Sequence, residues 1–402
     1  MIRLFNIVWH DPTLRLVVYG MLLFGAFVAG SGIFQSLIAI TVYGMSDGGY
    51  TLVLICALVV TVAASVGVGI VTDQRASRWI MAMAASATLA LGGALMLLAN
   101  DTTAFIIVAG ILFPVSGTLF GQLFAVARLV TLPMPRADRD GILAIIRAAF
   151  AVPFMVGTPL FGLMFDLGLP LVGAYGFALL FGLCLLVLVS RHWPRDAVAP
   201  WTEQKSGLSF RASIGELLRP DVLTRVMLMG AIQSGTALSG VILALVFDEA
   251  SGRGTTDLGL FFALFVGIEI IVTLLIGQIR RLMRRLYIIA IGVFTFAAYL
   301  FLLPFVAESQ AVWLLVIPAG VGGALIYALS IGYLQDLLGA RAGAGASLIA
   351  IQRIASDGLC AIIFGIGSWL YGYGLAAGMA AVTIVVAMLA VLWLDRHSPL
   401  EP

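Results

Sequence analysis

Residues 50–72 read YTLVLICALVVTVAASVGVGIVT, residues 73–78 read DQRASR, and residues 79–99 read WIMAMAASATLALGGALMLLA. Neither outer run holds a charged side chain, while the six residues between them include Asp73, Arg75 and Arg78. An α-helix rises about 1.5 Å per residue, so about 20 apolar residues cross the ~30 Å hydrocarbon core of a bilayer. Each run is long enough for one crossing, and the polar turn sends the chain back.

The pattern repeats along the chain. Twelve segments qualify: 15–43, 50–72, 77–99, 103–131, 141–165, 168–191, 222–247, 256–279, 285–305, 310–337, 343–370 and 373–395. Many exceed the minimum length, which implies tilted or curved helices. Composition agrees. Of 402 residues, 62% are hydrophobic and only 10% charged, and the mean hydropathy is +1.12. An ordinary soluble domain carries about 25% charged residues. Too few polar side chains exist here to cover a soluble surface, and disordered, collagen-like and disulfide-rich classes are excluded too. The 45 glycines suit closely packed membrane helices.

Several chemistries have no support. Cys56, Cys184 and Cys360 lie in apolar runs without metal-ligand spacing, and are expected as small buried hydrophobes. No metal site and no cofactor is expected. No basic stripe with interleaved aromatics points to nucleic acid, and no P-loop points to ATP. His10, His192 and His397 all fall in loops or at helix ends, and no His-Glu-x-x-His or paired mid-membrane aspartates suggest an enzyme. The first apolar run follows Asp11 and Pro12 and ends in no small-residue cleavage site, so it is expected to remain in the mature protein.

Arginine sets the orientation. One side collects Arg3, Arg15, Arg75, Arg78, Arg136, Arg139, Arg191, Arg195, Lys205, Arg211, Arg219, Arg280, Arg281, Arg284, Arg285, Arg341 and Arg396; the other receives Arg253 alone. The arginine-rich side is expected to be cytoplasmic, with both termini on it. A stretch at 192–221, rich in Pro, Ser and charge, divides the chain into bundles at 1–191 and 222–402. The bundles resemble one another. Asp11-Pro12 with Arg15 opens the first, and Pro220-Asp221 with Arg225 opens the second. An amphipathic stretch precedes each (Ile2–Trp9 and Phe210–Leu218), suited to the membrane surface. Pro114 corresponds to Pro318, and Arg147 to Arg353. A unit used twice is the design of large secondary transporters.

Charge inside the membrane is costly and marks function by default. Four residues carry it: Arg147, Glu269, Arg353 and Asp357. At 1.5 Å per residue, Glu269 lies about 20 Å from its entry side and Arg147 about 10–15 Å from the opposite side, so their depths are similar. Glu269 is a candidate proton or substrate site tuned by Arg147; the alternative is a structural ion pair. Arg353 and Asp357 share one face four residues apart. They form either a second titratable site or a self-neutralising pair. Amides and hydroxyls offer donors and acceptors suited to a polyhydroxylated ligand: Gln35, Gln122, Gln233, Ser234, Thr236, Ser239 and Gln352. Interhelical hydrogen bonding is their ordinary alternative role. Near the arginine-rich ends, Gly69, Asp73 and Arg78 with Arg128 form a candidate gate. Asp336 opposite the Arg280–Arg285 loop is its counterpart.

Twelve spans, the central loop and Gly69-x-x-x-Asp73-x-x-x-x-Arg78 resemble the major facilitator superfamily, with Ala76 where glycine is usual. Gln122-Leu-Phe-Ala-Val-Ala-Arg128, Ile146-Arg147-Ala148, Val156-Gly157-Thr-Pro159, Gly32-Ile-Phe-Gln35, Gly267-Ile-Glu269-Ile270 and Gln335-Asp336-Leu-Leu-Gly-Ala-Arg341 resemble the bacterial sugar efflux transporter family. The resemblance implies an all-α membrane protein with twelve transmembrane helices in two six-helix bundles. It implies proton-driven export of small sugars, glycosides or related metabolites by alternating access, and implicates Gln35, Gln122, Arg147 and Glu269. The proton-coupling candidates are Glu269 and Asp357. The substrate candidates are Gln35, Gln122, Arg147, Gln233, Ser234, Thr236, Gln352 and Arg353. Gly157-Thr-Pro159 also resembles a motif of drug exporters, so a broad drug or metabolite exporter is the alternative, ahead of a non-transporting receptor or scaffold. The chain departs from the sugar exporters at Ile242-Leu-Ala and at Ile271. A monomer in a bacterial inner membrane is expected.

Overall fold

The computed structural model describes residues 2–75, 78–194, 220–279, 283–336 and 342–397. Most of the stretch 192–221, including Phe210–Leu218, lies outside the described residues. Among these residues the structure is helical. Eleven helices are long and apolar enough to cross a membrane. Spans 1 to 10 run Pro12–Val42, Asp47–Gly69, Arg78–Ala99, Thr102–Thr131, Gly141–Asp166, Leu171–His192, Pro220–Glu249, Thr255–Ile276, Arg285–Val306 and Gln310–Leu334.

The last helical segment, Ala342–His397, holds two helices and two spans. It breaks at Tyr371 (φ −147°) and Gly372 (φ +76°, ψ −170°). Positive φ is open to glycine at little cost, and here it reverses the chain. A Cβ on Gly367 would fall 2.5 Å from Cα of Ala376, and the Phe364 and Tyr373 rings stack at 6.2 Å. Residues 342–370 and 373–397 are therefore spans 11 and 12, and twelve spans stand where the apolar runs predict them.

Local chemistry explains the starts and bends. Asp11 caps span 1: its carboxylate accepts from the Thr13 and Leu14 amides at 2.8 and 3.0 Å, and Pro12 fills the first turn without an orphan N–H. Asp101 caps span 4 through the Ala104 amide at 2.7 Å. Wide π-type turns interrupt span 1 at Val28–Gly32 and Ile38–Val42, and span 4 at Val108–Leu112. Such turns re-aim the side chains beyond them.

The chain divides into two compact units: 1–45 with 56–206, and 46–55 with 207–402. The division reassigns only the first turns of span 2. In the first unit, span 3 packs along span 6 and span 1 along spans 5 and 6. Spans 3 and 6 touch backbone to backbone, for a Cβ on Gly93 would sit 2.4 Å from the Leu179 amide nitrogen, and one on Gly182 would sit 2.6 Å from that of Ala90. Close approach maximises dispersion contacts where lipid supplies no hydrophobic drive. Leu89, Leu123, Val126, Ile142, Ile146 and Leu185 are fully buried between these helices. In the second unit, span 7 packs along spans 11 and 12, and span 9 along span 10. Tyr50 and Asp47 belong here too: Tyr50 stands edge-on to Phe364 at 5.8 Å, and the Tyr373 hydroxyl donates to Asp47 at 3.1 Å.

Candidate functional site

In the first unit, the amide oxygen of Gln122 is buried on span 4 and accepts from Nη1 of Arg78 at 3.0 Å. Arg78 is the first residue of span 3. Its reach to Gln122 joins a residue expected to bind substrate to one expected to gate. Gln122 is thereby tied to the first residue of span 3. Gln35 lies half-buried between the two wide turns of span 1. Arg147 is exposed on span 5, and its guanidinium carbon lies 5.2 Å from the centre of the Phe124 ring. Phe150, one turn further along span 5, meets Phe120 edge-on at 4.9 Å and Phe24 at 6.3 Å. Phe120 stacks on Phe124 at 6.3 Å, and Phe154 continues the series beside Phe150 at 5.4 Å. Arg147 thus stands at the edge of an aromatic lattice. Of the gate residues, Gly69 and Arg128 are exposed, and the Asp73 side chain lies outside the described residues.

In the second unit, Glu269 is half-buried well inside span 8. Among the described residues of its unit, no side chain donates a hydrogen bond or forms an ion pair with it. Ser234 and Thr236 turn their hydroxyls onto span 7's own carbonyls, at Ala231 and Gln233, both at 2.7 Å. Gln233 is half-buried on the same helix. Ser239 shares a 2.8 Å hydrogen bond with the Tyr299 hydroxyl of span 9. Gln352 is buried, and its amide donates to the Met229 carbonyl at 3.5 Å, tying span 11 to span 7. Arg353 and Asp357 meet each other at 3.3 Å, with side chains 71% and 32% exposed. That is the self-neutralising arrangement, made within one helix. The Asp336 side chain lies outside the described residues.

A further constellation carries no local signal in the sequence. Arg225 near the start of span 7 donates through Nε to Asp395 at 2.9 Å, and both side chains are less than a tenth exposed. The Tyr333 hydroxyl of span 10 donates to the other Asp395 oxygen at 3.0 Å. Arg225 also donates to the Asp221 carbonyl at 3.2 Å. Three spans are thereby joined at one buried carboxylate. Arg225 reads as a repeat marker and Asp395 as an end-of-helix charge; nothing in a span of 170 residues announces that they meet.

Comparison with known proteins gives the family. The family model described as Major Facilitator Superfamily matches residues 121–356. A Deinococcus radiodurans protein named "Putative sugar efflux transporter" is 24% identical over 394 residues, covering 94% of this chain and 97% of that protein. A crystal structure of the nucleoside transporter NupG superposes with a TM-score of 0.74 at 15% identity, covering 96% of this chain and all of the other. A POT family transporter bound to 5-aminolevulinic acid does so with a TM-score of 0.77 at 9% identity, over 95% of this chain and 96% of the other. Twelve spans, full-length structural likeness and a family model over more than half of the sequence agree that this chain belongs to the Major Facilitator Superfamily, a family of transporters and not of enzymes.

Proposed function

We propose that this protein is a secondary active transporter that exports small sugars, glycosides or related metabolites from a bacterial cell in exchange for protons. The arginine-rich side is cytoplasmic, both termini lie there, and the monomer works by alternating access in the inner membrane. The observation that carries the proton coupling is Glu269, a carboxylate well inside a membrane span with no hydrogen-bond or ion-pair partner among the described residues of its unit. Membrane transporters move protons on such groups. The near full-length relative named for sugar efflux supports the substrate class and the direction.

In this reading Glu269 carries the proton and Asp357 is a secondary candidate. Gln35, Gln122, Arg147, Gln233, Ser234, Thr236, Gln352 and Arg353 contribute to the substrate site. Gly69, Asp73, Arg78, Arg128 and Asp336 form the inner gate, with Arg78 linking gate to site through Gln122. The test is counterflow of labelled sugar in proteoliposomes under an imposed pH gradient. Glu269→Gln is expected to abolish pH-driven accumulation while exchange at equal pH persists. Unchanged pH-driven accumulation in that variant rejects Glu269 as the coupling group. The phenylalanine lattice of the first unit favours a second reading, export of apolar drugs or metabolites; dye accumulation in cells with and without the protein separates the two.

A further inference from the structure

Arg147 is an intramembrane cation with no ion pair or hydrogen bond among the described residues of its unit. Its contact is the Phe124 ring, 5.2 Å away. A ring attracts the charge but accepts no directed bonds for the five guanidinium N–H donors. Among the described residues of its unit, no carboxylate or carbonyl takes them. The sequence of that unit explains why. Its spans carry Arg15, Arg78, Arg128, Arg147 and Arg191 against one carboxylate, Asp166. Asp166 closes the far end of the same helix, about 28 Å away at 1.5 Å per residue. Arg78 has Gln122 as an acceptor; Arg147 has none among the described residues of its unit. Charge at membrane depth is rare and marks substrate or ion pathways by default.

We propose that Arg147 binds the negative charge of the substrate, so that the preferred cargo is an anionic sugar derivative, carrying a carboxylate or a phosphate, rather than a neutral sugar. This deepens the export reading above and rests on it. The guanidinium fork matches both anions in a two-point hydrogen bond. The rings of Phe120, Phe124, Phe150 and Phe154 offer an apolar wall beside the charge for the carbon skeleton of such a ligand. Direction also agrees. With the cell interior negative, an anion gains about 50-fold in outward driving force per 100 mV.

The experiment uses purified full-length protein in detergent and two matched ligand pairs: glucuronate with its methyl ester, and glucose 6-phosphate with glucose. Equilibrium binding is measured for wild type, Arg147→Gln and Arg147→Lys. The wild type is expected to bind at least one anion about tenfold or more tightly than its neutral partner. Arg147→Gln is expected to erase that ratio, whatever its effect on the neutral partner, and a wild-type elution profile and thermal midpoint show that the variant is folded. Arg147→Lys keeps part of the preference. If Arg147→Gln fails to fold, the Arg147→Lys ratio decides: an unchanged ratio overturns the proposal. Equal binding within both pairs by the wild type overturns it as well, and is the result expected if lipid phosphate satisfies Arg147 instead. Export of neutral sugar by such a protein leaves the transporter reading standing. Failure to bind or move any sugar overturns both.

Discussion

Replacing Asp395 by asparagine is expected to cost the second unit about 3 kcal/mol. The exchange preserves shape and leaves Tyr333 an acceptor, but it strips the charge facing Arg225. Both side chains of that pair are buried, 8% and 7% exposed, and the Nε–Oδ1 distance is 2.9 Å. Removing one partner of a buried pair costs about 3–5 kcal/mol, because the other charge stays behind uncompensated. The Asp221 carbonyl still accepts from Arg225 at 3.2 Å, which places the cost at the lower end. Tyr333→Phe removes a single bond to a charged acceptor, about 1.5 kcal/mol. The double variant Arg225→Met with Asp395→Leu removes both charges and is expected to lie near wild type. With the single variants Arg225→Met and Asp395→Leu as its other corners, the double-mutant cycle should show a coupling of about 2 kcal/mol or more. Unfolding of purified protein in mixed micelles, titrated with sodium dodecyl sulfate, measures every variant. An Asp395→Asn variant within about 0.5 kcal/mol of wild type, or strictly additive single changes, would refute the reasoning: the pair would then behave as a solvated surface contact.

Other outcomes follow from the same geometry. Gly93→Leu forces a side chain into the Leu179 backbone, so spans 3 and 6 must part; a loss of about 3 kcal/mol and a collapsed monodisperse peak in fluorescence-detected size exclusion are expected. Arg78→Ala leaves the buried Gln122 oxygen without this donor, at about 1–3 kcal/mol. Adding Gln122→Leu should recover most of that stability without recovering transport. The Arg353–Asp357 pair is made within one helix and ties no second span, so neutralising both together is expected to leave the thermal midpoint unchanged. A fall in transport by that double variant then isolates a functional role.

The number and order of spans were legible because each is an uninterrupted apolar run bounded by charge or proline. The runs also predict where span 1 starts, since Asp11-Pro12 is a local cap. The wide turns of spans 1 and 4 were not legible. They arise from how neighbouring helices pack, and no residue type codes for them. Among the site residues, Arg147 and Glu269 stand out in sequence because charge interrupts an apolar run. Gln122 stands out for polarity, but its partner Arg78 sits 44 residues away and belongs by sequence to a loop motif. Ser234 and Thr236 show the limit most plainly. A hydroxyl can satisfy itself on the carbonyl three residues back, as both do, and sequence cannot tell that from a hydroxyl held ready for a ligand.

The two-residue reversal at Tyr371-Gly372 bears on how the chain is made. Spans 11 and 12 are two helices joined by the two non-helical residues alone, so no long polar loop has to be carried across the bilayer after span 11. The final pair can leave the translocation machinery together, as a preformed hairpin, and one event delivers Asp395 to the side where Arg225 already waits. A tag or glycosylation acceptor spliced between residues 371 and 372 would turn that single delivery into two.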